Sequence, residues 1–181
     1  MKKKFTAGTL FLVLIFFISS CKKDKAPVNE EELITTVALR FTEAGTTNQS
    51  TFIFRDLDGE GGNAPSVFEG IQLGAGKTYN LSIVMLNETV SPADSISNEI
   101  VNEAVDHQFY FQPSGVAVTI SNLNNDPLGL PLGITSTWTT GVAGNGTVRI
   151  TLKHKPGLKS AGDPITVGDT DVELDWPVTI L

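Results

Sequence analysis

Cysteine is almost missing from this chain: Cys21 is the single one in 181 residues. No intramolecular disulfide can form, and the ligand spacings of structural zinc sites are missing, so the fold must be held by its core. Basic residues are scarce, 13 against 20 acidic ones, for a formal charge of −7. That balance argues against a nucleic-acid partner and against adsorption to anionic lipid. A helical membrane span needs about 20 apolar residues, and the longest apolar run, residues 10–18 (LFLVLIFFI), falls well short of it. There is no G-x-S-x-G elbow and no P-loop, and no cysteine is left free if Cys21 is modified as argued below. Nucleophilic catalysis therefore has little to build on.

What is present points to one folded domain. Apolar residues make up 40% of the chain, with ten phenylalanines, 17 glycines and nine prolines. A packed interior cut by many turns fits that composition, and intrinsic disorder over most of the chain does not.

The first residues read as a processed leader. Lys2, Lys3 and Lys4 precede the apolar run, and Ser19, Ser20 and Cys21 follow it. Basic start, apolar centre and small-residue site are the three parts of a secretory signal. Ile18-Ser19-Ser20-Cys21 resembles the lipobox of bacterial lipoproteins. There the cysteine thiol carries a diacylglycerol thioether, and cleavage just before it leaves an amine that is usually acylated as well. Several acyl chains give stable anchoring where one would be marginal. The expected organisation is a signal peptide over residues 1–20, a lipidated tether over 21–32 (polar, charged and broken by Pro27) and a single domain over 33–181. Thirteen basic residues less the three leader lysines leave ten, so the mature chain carries a formal charge near −10.

Beyond the tether the dominant period is two. Val37, Leu39 and Phe41 alternate with Ala38, Arg40 and Thr42; Tyr79, Leu81, Ile83 and Met85 alternate with Asn80, Ser82 and Val84. Similar sets run through Phe52/Phe54, Phe109/Phe111, Val116/Val118/Ile120, Val148/Ile150/Leu152 and Val172/Leu174/Trp176, separated by Gly-, Asn-, Asp- and Pro-rich clusters. The pattern predicts an all-β fold, an immunoglobulin-like β-sandwich of about 7–9 strands. Trp138 or Trp176 can occupy the place an intersheet disulfide would take. Asp171, Glu173 and Asp175 fall on the outer face of the last strand, where charge discourages edge pairing. One stretch breaks the period: Ser91-Pro92-Ala93-Asp94 looks like a helix start, and Ile96, Ile100 and Ala104 recur every four residues. One amphipathic helix of about three to four turns is expected there.

Two groups of residues can carry metal chemistry. In RDLDGEGGNAP (55–65), Asp56, Asp58 and Glu60 stand at positions 1, 3 and 5 of a calcium loop, with Gly61 at 6; position 12 is Val67, where a bidentate acid belongs. That is the front half of an EF-hand between strands, so an acidic hairpin turn is the main reading and a weak calcium site the alternative. His107 and His154 each end an apolar strand face and can ligate a metal or a haem iron if their strands are neighbours. No cofactor is required by these patterns, and calcium is the candidate should one be present.

The segments EEELITT (30–36), RDLDGEGGNAP (55–65), LNETVSPADSISNEI (86–100), EAVDHQFYFQ (103–112), TVRITLKHKP (147–156) and DTDVELDWPVTI (169–180) together carry a resemblance. The chain resembles the small lipoproteins of Bacteroidota called type 1 periplasmic binding fold superfamily proteins. That name implies two α/β lobes and a much longer chain, so the fold expectation rests on the period-two strands instead. The resemblance implies an outer-membrane lipoprotein with no assigned activity. In such bacteria an acidic run after the cysteine is associated with surface export; Lys22-Lys23-Asp24-Lys25 lacks it, which favours the periplasm-facing leaflet. The functional expectation is a lipid-anchored envelope module, binding or structural and not an enzyme, with an envelope protein or glycan as partner. A metal- or haem-binding lipoprotein and an enzyme acting on envelope polysaccharide are the alternatives.

Overall fold

The computed structural model describes residues 33–59 and 61–181. Residues 1–32, on which the expected signal peptide, Cys21 and the expected tether fall, lie outside the described residues, as does Glu60. Among the described residues the chain forms ten strands and one helix. In order they are β1 (Thr36–Glu43), β2 (Gln49–Arg55), β3 (Val67–Phe68), β4 (Ile71–Leu73), β5 (Thr78–Leu86), α1 (Ile96–Asn102), β6 (His107–Ser114), β7 (Val118–Ser121), β8 (Thr135–Thr140), β9 (Gly144–His154) and β10 (Asp169–Ile180).

The strands make an all-β sandwich of two sheets. One has six strands in the order β3-β2-β1-β5-β8-β7, the other four in the order β4-β10-β9-β6. Every pairing is antiparallel except β4 with β10. The count exceeds the expected range because β3 and β4 are fragments of two and three residues, too short to show a period. They carry the chain from the first sheet to the second: Phe68 pairs with Phe54, and Ile71 with Val178.

The alternation seen in the sequence is the burial pattern of the sheets. Val37, Leu39 and Phe41 of β1, Leu81, Ile83 and Met85 of β5, and Val148, Ile150 and Leu152 of β9 are all buried. Successive side chains of a strand point to opposite faces, so each apolar set faces the other sheet. Both tryptophans fill the intersheet space, one from each sheet. Trp138 of β8 packs edge-on against Phe41 at 5.0 Å and Phe111 at 6.1 Å, and Trp176 of β10 against Phe68 at 5.2 Å.

The helix is shorter than its spacing predicts. It has seven residues and starts after Ser95, not after Ser91. The backbone of Asp94 is already committed: its amide and carbonyl exchange two 3.0 Å hydrogen bonds with Asn87. A residue held in that bridge cannot also supply helical bonds, so the turn at 91–94 stays outside. Ile96 and Ile100 are buried, as the four-residue spacing requires.

Candidate metal centre

The helix delivers the first group of the site. At its end the Glu103 amide donates to the Glu99 carbonyl at 2.8 Å, and the Asp106 amide to the Glu103 carbonyl at 2.9 Å. This tight turn leads straight into β6, whose first residue is His107. β9 ends on His154, directly opposite His107 in the antiparallel ladder. Each histidine shares a face with the apolar residues two and four positions along its own strand. A cross-strand pair on one face has neighbouring Cβ atoms, and the two imidazoles accordingly stack, centroids 4.6 Å apart and planes within 10°. The adjacency that the sequence left open is thus present in the fold.

His107 is 1% exposed. Its Nδ1 lies 3.1 Å from the Glu103 carbonyl oxygen and, as donor, places the proton on Nδ1 and the lone pair on Nε2. Burial pushes the imidazole below the ordinary histidine range, the Glu103 carbonyl opposes that, and the neighbouring His154 adds to it. One ligand atom from each of Glu103, His107 and His154 can be chosen so that all three lie within 4.8 Å of one another, with Glu103 exposed and His154 half-buried.

Asp171 is a correction to the sequence reading. A register shift between Thr170 and Val172 makes it the extra residue of a β-bulge. It leaves the outer row of Glu173 and Asp175 and brings Oδ2 to 3.8 Å from His107 Nε2, its side chain 6% exposed. Glu173 and Asp175 do stay outside, where both pair with Arg149, at 3.3 and 2.7 Å.

Two buried ion pairs brace this end of the second sheet. Lys155 is fully buried; its ammonium lies 3.1 Å from Asp163 and 3.1 Å from the Gln108 side-chain oxygen, and it also contacts the Tyr110 hydroxyl. Burial, together with the Asp163 charge, pushes the Tyr110 phenol up to about 12. Lys159 bonds Asp126 at 2.8 Å and the Ala104 carbonyl at 2.7 Å, which ties the segment after β9 to the end of the helix. Gly168, at φ +78°, closes this segment against the site: a Cβ there would stand 2.3 Å from the His154 carbonyl oxygen.

The acidic turn lies elsewhere. Asp58 is spent on its own loop, its Oδ2 accepting from the Asn63 amide at 2.9 Å and the Asn63 side chain at 2.6 Å. Those bonds, and then a contact with Asp56, hold its carboxyl below the usual range. Asp56 is 8% exposed. Its Oδ1 has no hydrogen-bond partner among the described residues. It lines a cavity of about 500 Å³ together with Leu33, Phe54, Asp171, Val172 and Glu173.

Sequence reasoning found both histidines and missed Glu103, although Glu103 and His107 stand four residues apart across the helix end. The fold and site define an all-β sandwich with a two-histidine, one-carboxylate cluster where β6 and β9 begin and end. No known family model, curated protein or solved structure matches the chain.

Proposed function

We propose that this protein is a lipid-anchored module of the bacterial cell envelope that binds or supports another envelope component without catalysing a reaction on it. The observation that carries the reading is the Ile18-Ser19-Ser20-Cys21 stretch behind a basic start and an apolar run. Acyl chains on Cys21 hold the mature chain in the outer membrane, facing the periplasm, and residues 22–32 let the sandwich stand off the lipid surface. A sandwich with a fully packed aromatic interior suits a rigid display scaffold, and the acidic mature chain keeps it from adsorbing to anionic lipid. The partner is an envelope protein or glycan. The resemblance to the Bacteroidota lipoproteins supports the same reading.

A second reading, hydrolysis of an envelope polysaccharide, has one observation in its favour: Asp56, Asp171 and Glu173 line the same cavity. Two of the three are otherwise engaged, Glu173 by Thr151 and Arg149 and Asp171 beside His107.

Fractionation tests the anchor. Wild-type protein should partition with the outer membrane and incorporate labelled fatty acid; Cys21→Ala should lose the label and stay out of the mature membrane pool. An unlabelled wild-type chain, or one whose mature terminus is not Cys21, refutes the reading. Release of sugar from purified envelope polysaccharide, lost in Asp56→Asn, would establish the second reading instead.

A further inference from the structure

We propose that Glu103, His107 and His154 bind one divalent transition-metal ion, zinc by the chemistry of the donors. This goes beyond the envelope reading and does not depend on it.

The argument begins with topology. Two imidazoles opposite each other on adjacent strands stack with centroids 4.6 Å apart and planes within 10° of parallel. The pair can share a single ion once the half-buried His154 ring turns out of the stack, because an imidazole binds a metal in its own plane. It does not suit axial ligation of haem, where the macrocycle must lie between the rings. Two nitrogens and a carboxylate oxygen match the borderline-soft donor preference of zinc and not the all-oxygen shells of calcium and magnesium.

Distance and freedom come next. Zinc–nitrogen and zinc–oxygen bonds of about 2.0–2.2 Å put tetrahedral ligands about 3.4 Å apart. The three chosen atoms are already within 4.8 Å of one another. Closing the rest takes a turn of the His154 ring and a swing of the Glu103 side chain. Glu103, exposed at the helix end, has the room to make it. His107 is the fixed member, buried and held by its bond to the Glu103 carbonyl. A ligand imidazole whose other nitrogen donates to a backbone carbonyl is the usual second-shell arrangement of a metal histidine. Asp171, whose Oδ2 is 3.8 Å from His107 Nε2, adds negative charge at the same ring.

The surroundings hold the two chain ends that carry the ligands. The helix end carrying Glu103 is tied through the Ala104 carbonyl to Lys159, and Lys159 to Asp126. The strand end carrying His154 is pinned on its other side, where Lys155 donates its amide to the Asp106 carbonyl at 2.6 Å. With three protein ligands a fourth position is left to water or to a donor on a partner.

The test uses the full chain as purified from its native cells, without a histidine tag, stripped with chelator and titrated calorimetrically with zinc chloride. One ion per chain should bind, and the melting temperature should rise with zinc but not with calcium or magnesium at equal concentration. X-ray absorption of the loaded protein should show two imidazole nitrogens. His154→Ala should lower zinc affinity by at least about 100-fold and Glu103→Gln by about 10–100-fold. Both positions reach solvent, so both variants should fold, and circular dichroism checks that they do. Asp56→Asn should bind zinc like the wild type. No saturable zinc binding by the wild type, or unchanged affinity in folded His154→Ala and Glu103→Gln, overturns the proposal.

Discussion

Lys159→Ala should destabilise the protein by about 3–5 kcal/mol, the cost of breaking a buried ion pair from one side. Lys159 and Asp126 are 2% and 0% exposed, and their charged atoms are 2.8 Å apart. Removing the ammonium leaves a buried carboxylate, but not a bare one: Asp126 Oδ1 still accepts from the Leu128 and Leu130 amides, each at 2.9 Å. Bonds to a charged acceptor contribute about 1.5–3 kcal/mol each, so Lys159→Ala should fall toward the lower limit, near 3 kcal/mol. Asp126→Ala strands the ammonium and deprives both amides of their acceptor, and should fall near 5 kcal/mol. In the double variant neither charge is left to strand. Its cost should be smaller than the sum of the singles, with a coupling energy of at least about 1.5 kcal/mol. Urea unfolding reads this directly. With an m-value of about 1–3 kcal/mol/M, a 3 kcal/mol loss moves the midpoint down by about 1–3 M.

The pair also has a signature in pH. Burial acts to raise the Asp126 carboxyl, but the Lys159 hydrogen bond and the Leu130 and Leu128 amides outweigh it, and the net shift is downward from the ordinary 3.8. A carboxyl depressed in the folded state contributes stability that is complete above its unfolded value and is lost as pH falls through the folded one. The coupling should therefore be full at pH 7 and shrink below about pH 4. Single variants costing less than about 1 kcal/mol each, or strictly additive effects, would refute the reasoning.

Two more outcomes are expected. Trp138 Nε1 donates to Ser136 Oγ at 3.1 Å, whereas Trp176 Nε1 is buried with no partner among the described residues; Trp138→Phe should therefore cost more than Trp176→Phe, by about 1–2 kcal/mol in urea unfolding. Asp56→Asn should raise stability by about 1 kcal/mol, because its buried Oδ1 has no donor among the described residues and an amide can bond Asp58; a fall instead, with a calcium-dependent melting temperature in the wild type, would mark residues 56–58 as a cation site.

The strands of the sandwich were legible because burial of one face writes a period of two into the chain. β1, β5 and β9 each carry that period in plain view. β3 and β4 were not legible, since two or three residues cannot show a period. The helix was placed correctly by Ile96 and Ile100 and overextended at its start, because the isolated bridge between Asn87, just past β5, and Asp94 is a contact that local propensity does not encode. Lys155 was invisible for a similar reason: alternation puts it on the outer face, and only the chain folding back over 156–168, with Asp163 at its tip, encloses it.

By itself, the sequence determined the all-β class, the inward residues of the long strands, and the two histidines at strand ends. Each is a local pattern, readable from neighbours a few positions away. Tertiary structure alone decided that β6 and β9 are adjacent and in a register that sets His107 against His154. It also decided that a bulge turns Asp171 inward, and that the helix end supplies Glu103. Register and bulges depend on hydrogen bonds between residues far apart in the chain, and a one-residue slip would send His107 to the other face and leave no cluster at all.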